Sequence, residues 1–148
     1  WDGSIGPYAI NGSSWDSITY GVGADNIGRF VAVANSGGYS QIMTSEDGIN
    51  GIGTSWTIRR SASDRSWTSV TYGNGVFVAV AKDDPGSIGA RAMRSIDGIN
   101  WTLIQTPTSP TSGQWQSVTY GEGGSNNTQP TFVAVSDTGS YAMYSIDD

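Results

Sequence analysis

The chain has 148 residues, with 7 Lys plus Arg against 13 Asp plus Glu, so its net charge is −6. That acidity argues against a nucleic-acid partner, because phosphate binding needs clustered cations, and the lack of Cys and His removes disulfides, thiolate zinc sites and the usual general base. No apolar run approaches the roughly 20 residues that a spanning helix needs, so membrane insertion is not expected.

In chain order, residues 1–11 read as a strand that ends in a turn at Asn11-Gly12. One unit then occurs three times. Trp15-Asp-Ser-Ile-Thr-Tyr-Gly21 leads to Phe30-Val-Ala-Val33 and then to Met43-Thr-Ser-Glu-Asp-Gly48. Trp67-Thr-Ser-Val-Thr-Tyr-Gly73 leads to Phe77-Val-Ala-Val80 and Met93-Arg-Ser-Ile-Asp-Gly98. Trp115-Gln-Ser-Val-Thr-Tyr-Gly121 leads to Phe132-Val-Ala-Val135 and Met143-Tyr-Ser-Ile-Asp147. The Ser-x-Asp triplets start at Ser45, Ser95 and Ser145, a step of 50 residues, which marks a repeat architecture.

Each unit carries four strand signals. The Ser-Ile/Val-Thr-Tyr segments are rich in β-branched and aromatic residues. The repeated aromatics Trp15, Trp67 and Trp115, Tyr20, Tyr72 and Tyr120, and Phe30, Phe77 and Phe132 are expected in the core. The Phe-Val-Ala-Val segments are continuously apolar, as expected of strands buried on both faces. A third strand is expected to end at Met43, Met93 or Met143, and a fourth carries Trp56-Thr-Ile-Arg59 or Trp101-Thr-Leu-Ile104. Four short antiparallel strands in about 50 residues predict an all-β fold, a β-propeller with three four-stranded blades. The expected units are 15–59, 67–104 and an incomplete 115–148.

Trp1 stands 14 residues before Trp15, as Trp101 stands 14 before Trp115. Trp1 therefore takes the place of the closing Trp of a unit, and the sequence reads as a circular permutation. Its first strand, with Trp1, Ile5 and Tyr8, is expected to complete the last blade of its own or a neighbouring copy. The start at Trp1 suggests a processed product or a piece of a longer tandem chain.

The turns Ser45-Glu-Asp47-Gly48, Ser95-Ile-Asp97-Gly98 (followed by Trp101) and Ser145-Ile-Asp147 resemble the Asp-box repeat of sialidase-like propellers. Gly directly after Asp departs from that box by one residue. With their flanking strands they are similar to bacterial and phage surface propellers. The resemblance implies a hairpin turn between the third and fourth strands. The residues account for such a turn themselves, since Asp bonds nearby backbone N–H groups, Gly accepts positive φ and Trp packs on the blade.

Catalysis is not expected. The resemblance would imply an arginine cluster drawn from several blades, yet six of the seven cations lie between Arg59 and Arg94. No carboxylate pair is singled out for glycosidase chemistry, and Asp83-Asp84 and Asp147-Asp148 lack the spacing of a calcium loop, so no metal or cofactor is expected. Carbohydrate binding, as in propeller lectins or adhesins, is the alternative reading. Its candidate residues are Tyr39, Arg91, Tyr141 and Tyr144, although Gln41, Arg91 and Tyr141 differ at one equivalent position.

Three blades cannot close a ring, since propellers have at least four. An open row would expose the apolar faces of its end blades. The expected partner is therefore the chain itself, with the Trp1 strand exchanged between copies, as a ring or a filament. The expected function is structural assembly at an extracellular, virion or matrix surface, with glycans as the other candidate partner.

Overall fold

The computed structural model describes residues 13–48, 55–82, 91–106, 114–122 and 130–146. These residues form strands and turns and contain no helix. The first sheet is the meander β1 (Trp15–Val22), β2 (Gly28–Ala34), β3 (Ile42–Ser45) and β4 (Thr57–Arg59). The second repeats it with β5 (Trp67–Gly73), β6 (Val76–Ala81), β7 (Ala92–Ser95) and β8 (Thr102–Ile104). The third contains β9 (Trp115–Glu122), β10 (Pro130–Ser136) and β11 (Ala142–Ile146), with β11 at its edge. All pairings are antiparallel. The expected strand over Trp1, Ile5 and Tyr8 lies outside the described residues, as does Asp147.

The first strand of every sheet carries the same irregularity. The register slips between Trp15 and Ser17, between Trp67 and Ser69, and where Trp115 and Ser117 face β10. A side-chain period of 2 would put Trp67 and Val70 on opposite faces. The extra residue in the bulge turns both into one core, and Trp115 and Val118 share a core in the same way.

The sheets stack in a row. One core lies between sheets 1 and 2 and joins Val31, Val33 and Ile42 to Trp67, Val70, Phe77, Ala79 and Met93. The other lies between sheets 2 and 3 and joins Val78, Val80 and Ala92 to Trp115, Val118, Phe132 and Ala134. Register shows these to be equivalent positions, one unit apart. Sheet 2 thus uses both faces, one against each neighbour.

Three expectations change. The third strands do not end at their Met; they run on to Ser45, Ser95 and Ile146, because pairing with the preceding strand continues to those residues. The Phe-Val-Ala-Val segment is not buried on both faces in sheet 3, where Val133 and Val135 are exposed at 37% and 47%. Of the repeated aromatics assigned to the core, Tyr20 is 52% exposed. Both departures fall on the outer faces of the row.

Candidate self-association faces

The Ser-x-Asp-Gly turns come first, because the sequence singles them out. At the first turn the Ser45 hydroxyl lies 3.2 Å from Asp47 Oδ1, and Gly48 N donates to Ser45 Oγ at 2.8 Å. At the second, Ser95 Oγ donates to Asp97 Oδ1 at 2.8 Å and accepts from Gly98 N at 2.8 Å. Asp97 Oδ1 also accepts from Ile99 N and Asn100 N, both at 2.8 Å, and Oδ2 accepts from Asn100 Nδ2 at 2.7 Å. Partial burial alone would raise the Asp97 pKa. The donors at Asn100, Ile99 and Ser95 outweigh that effect and bring it down to about 2. Trp101 Nε1 closes the turn on Gly98 O at 3.2 Å. Ser145 lies on β11, beyond which the third turn leaves the described residues.

The second turn also joins two sheets. Gly98 has φ +73°, and a Cβ there would stand 2.9 Å from Val31 Cγ2 in sheet 1. Arg29, 3% exposed in side chain, donates to the Asp97 carbonyl and pairs with Asp25 at 2.7 Å. The hydrogen bond from Arg29 is the main reason that the Asp25 pKa is lowered. Ala24 N adds a bond to Ile96 O at 2.8 Å.

The two junctions between sheets share a further pattern. Val70 N donates to Ser17 Oγ at 3.1 Å, and one unit later Val118 N donates to Ser69 Oγ at 3.1 Å. The Tyr72 ring covers Gly21, where a Cβ would be 2.2 Å from it. The Tyr120 ring covers Gly73 with 1.9 Å. Both distances are far inside contact, so only Gly fits below the Tyr. Read along the chain, Ser-x-Thr-Tyr-Gly indicates strand and core alone. Its repeated Ser and Gly are the residues on which the next sheet sits. Their presence in all three units was the available signal.

At the ends of the row the same positions face no further sheet among the described residues. No atom of the described residues comes within 4 Å of a Cβ placed on Gly121. Ser117 is exposed, whereas Ser69 is buried. On sheet 1, Ile18 is 56% exposed, while its equivalents Val70 and Val118 are 5% and 7% exposed. On sheet 3, Val133, Val135 and Ala142 are exposed where Val31, Val33 and Ile42 are buried. The exposed residues at each end of the row are thus equivalent to residues that are buried at the internal junctions.

Between sheets 2 and 3 an open cavity of about 510 Å³ is lined by Val76, Val78, Ala92, Ile104, Phe132 and Met143. At the first junction the equivalent space holds larger side chains, with Arg29 in the place of Val76 and Ile42 in that of Ala92. Trp101 also packs there from sheet 2. Its expected counterpart, Trp1, lies outside the described residues.

The candidate sugar-binding residues are spread over three sheets. The carbonyls of Gln41, Arg91 and Tyr141 accept from Ala34 N, Ala81 N and Ser136 N at 2.9, 2.9 and 3.0 Å, so these three positions are equivalent. Gln41 is buried and holds the link between sheets 1 and 2, accepting from Ser61 Oγ at 3.1 Å and donating to Arg65 O. Tyr39 is stacked under the Arg60 guanidinium at 4.2 Å. Tyr144 stands at the rim of the apolar cavity, which Tyr39, Arg91 and Tyr141 do not line. Among the described residues no three acidic side chains gather as a metal site would require. No helix of the described residues is long and apolar enough to cross a membrane.

Compared with protein-family models, with curated proteins and with solved structures, the chain finds no match.

Proposed function

We propose that this chain is a non-catalytic β-propeller module whose three sheets are blades, and that it associates with copies of itself. The observation that carries the proposal is the pair of open apolar faces at the two ends of the row. Contiguous exposed apolar surface of this kind marks interaction sites, and three blades are one short of the smallest propeller. Association completes either a closed ring or a filament. The segment with Trp1, Ile5 and Tyr8 is proposed to pair along β11, which is an edge strand among the described residues, as an exposed sheet edge invites.

The non-catalytic reading rests on the lack of Cys and His and on the confinement of most cations to one stretch. The extracellular, virion or matrix setting rests on the resemblance of the Ser-x-Asp turns to surface propellers. The test is the solution mass of the 148-residue chain by light scattering over a range of concentrations. A dimer or trimer supports a ring, and large polydisperse species support a filament. A monomer at every concentration overturns the proposal.

A further inference from the structure

The two internal junctions are built alike, and each end of the row exposes residues equivalent to those buried there. We infer that sheet 3 of one copy receives sheet 1 of a second copy in the register of those internal junctions. In that register Ser117 Oγ accepts from Ile18 N of the second copy, and Tyr20 of the second copy lies over Gly121. The inference deepens the self-association reading, on which it rests, by naming the contacts that make the joint.

Four sets of residues agree. Ser17 and Ser69 each accept a backbone N–H from the next sheet at 3.1 Å, and Ser117 is the next in that series. Gly21 and Gly73 lie under Tyr72 and Tyr120, while a Cβ on Gly121 would meet no described atom and Tyr20 is exposed. Ile18 stands where Val70 and Val118 are buried. Val133 and Val135 stand where Val31, Val33, Val78 and Val80 are buried. The exposed residues of both faces named here are uncharged, so the joint forms without burying an unpaired charge among them.

The two faces differ from each other, so the joint is head-to-tail. Two copies of the sheet 1 face placed together would bring Tyr20 against Tyr20, with no bare glycine beneath either ring. A head-to-tail joint closes if the rotation permits. Two copies then give twice the three sheets of one chain, a six-bladed ring within the usual range.

The absence of Cys makes the register directly readable. Ile18→Cys and Ser117→Cys are prepared as separate proteins, mixed, and oxidised or treated with a short bismaleimide. The expected result is a mixed crosslink, from position 18 of one protein to position 117 of the other, that outweighs the Ile18→Cys self-crosslink. The Ser69→Cys/Val118→Cys double variant reports the same geometry inside one chain and is expected to close without a partner. A second variant, Gly121→Leu, occupies the space that Tyr20 needs and is expected to weaken association about tenfold or more. Association that persists while Ile18→Cys links mainly to itself, or that is unchanged by Gly121→Leu, overturns this register but leaves self-association standing. A wild-type monomer at all concentrations overturns both.

Discussion

The Tyr120 ring lies over Gly73 so closely that a Cβ on that glycine would stand 1.9 Å from the ring. The glycine is needed for the approach of the neighbouring sheet, which stacks an aromatic ring on its backbone. Gly73→Ala forces that ring off the strand and is expected to destabilise the chain by about 1–3 kcal/mol, as overpacked cores do. Gly21→Ala meets Tyr72 and should behave alike. Gly121→Ala meets no atom of the described residues and is expected to leave the dissociated protein unchanged. Urea unfolding at dilution checks all three, and a cost at Gly121 equal to that at Gly73 would contradict the open end face.

The indole of Trp67 is fully buried and donates from Nε1 to Ser63 O at 3.1 Å. Its deletion leaves a large cavity in the core between sheets 1 and 2, and Trp67→Ala is expected to cost about 3–5 kcal/mol. Trp15 occupies the equivalent position in sheet 1 but is only partly buried, so Trp15→Ala should cost clearly less. Parallel denaturation curves of the two variants make the comparison.

Much of this architecture is legible in the sequence because it repeats. The 50-residue step of Ser45, Ser95 and Ser145 predicts three sheets, and the alternation around Tyr20, Tyr72 and Tyr120 predicts their first strands. What one unit cannot reveal is its neighbour. Tyr20 and Tyr120 read identically along the chain, yet one is exposed and the other half-buried, because each Tyr packs on the sheet before its own and, among the described residues, none precedes sheet 1. Gly73 and Gly121 differ for the complementary reason, since the glycine is covered by the sheet that follows. The bulge that brings Trp67 and Val70 into one core leaves no mark on residue type, so strict alternation misplaces the Trp. The Ser-x-Asp-Gly turn is readable because its chemistry is local. The link from Arg29 to Asp97 is not, since 68 residues separate the two.

That link supplies a further test. Arg29 is buried, and its guanidinium spans Asp25 and the Asp97 carbonyl, so it pins the β1–β2 turn to the second sheet. Arg29→Met keeps much of the apolar stem but leaves the carbonyl and carboxylate without their donor. Asp25 is partly exposed and recovers some hydration, so the expected cost is about 1–2 kcal/mol, read from the shift in unfolding midpoint.

Asp97 makes acid stability depend on one turn. Its pKa falls from the ordinary 3.8 to about 2 on folding, because the donors around the carboxylate outweigh partial burial. A group whose folded pKa is depressed contributes stability that is fully present above its unfolded pKa. That contribution is therefore complete above about pH 4 and fades as the pH drops through the folded value near 2. Because the turn is partly exposed, solvent screening holds the contribution to about 1 kcal/mol. Asp97→Asn keeps an acceptor for the Ile99 and Asn100 amides but has no proton to take up. Its unfolding free energy should lie about 1 kcal/mol below wild type at pH 6 and converge with it near pH 2. A constant gap across that range would mean that the carboxylate charge contributes nothing and that only the shape of the side chain matters.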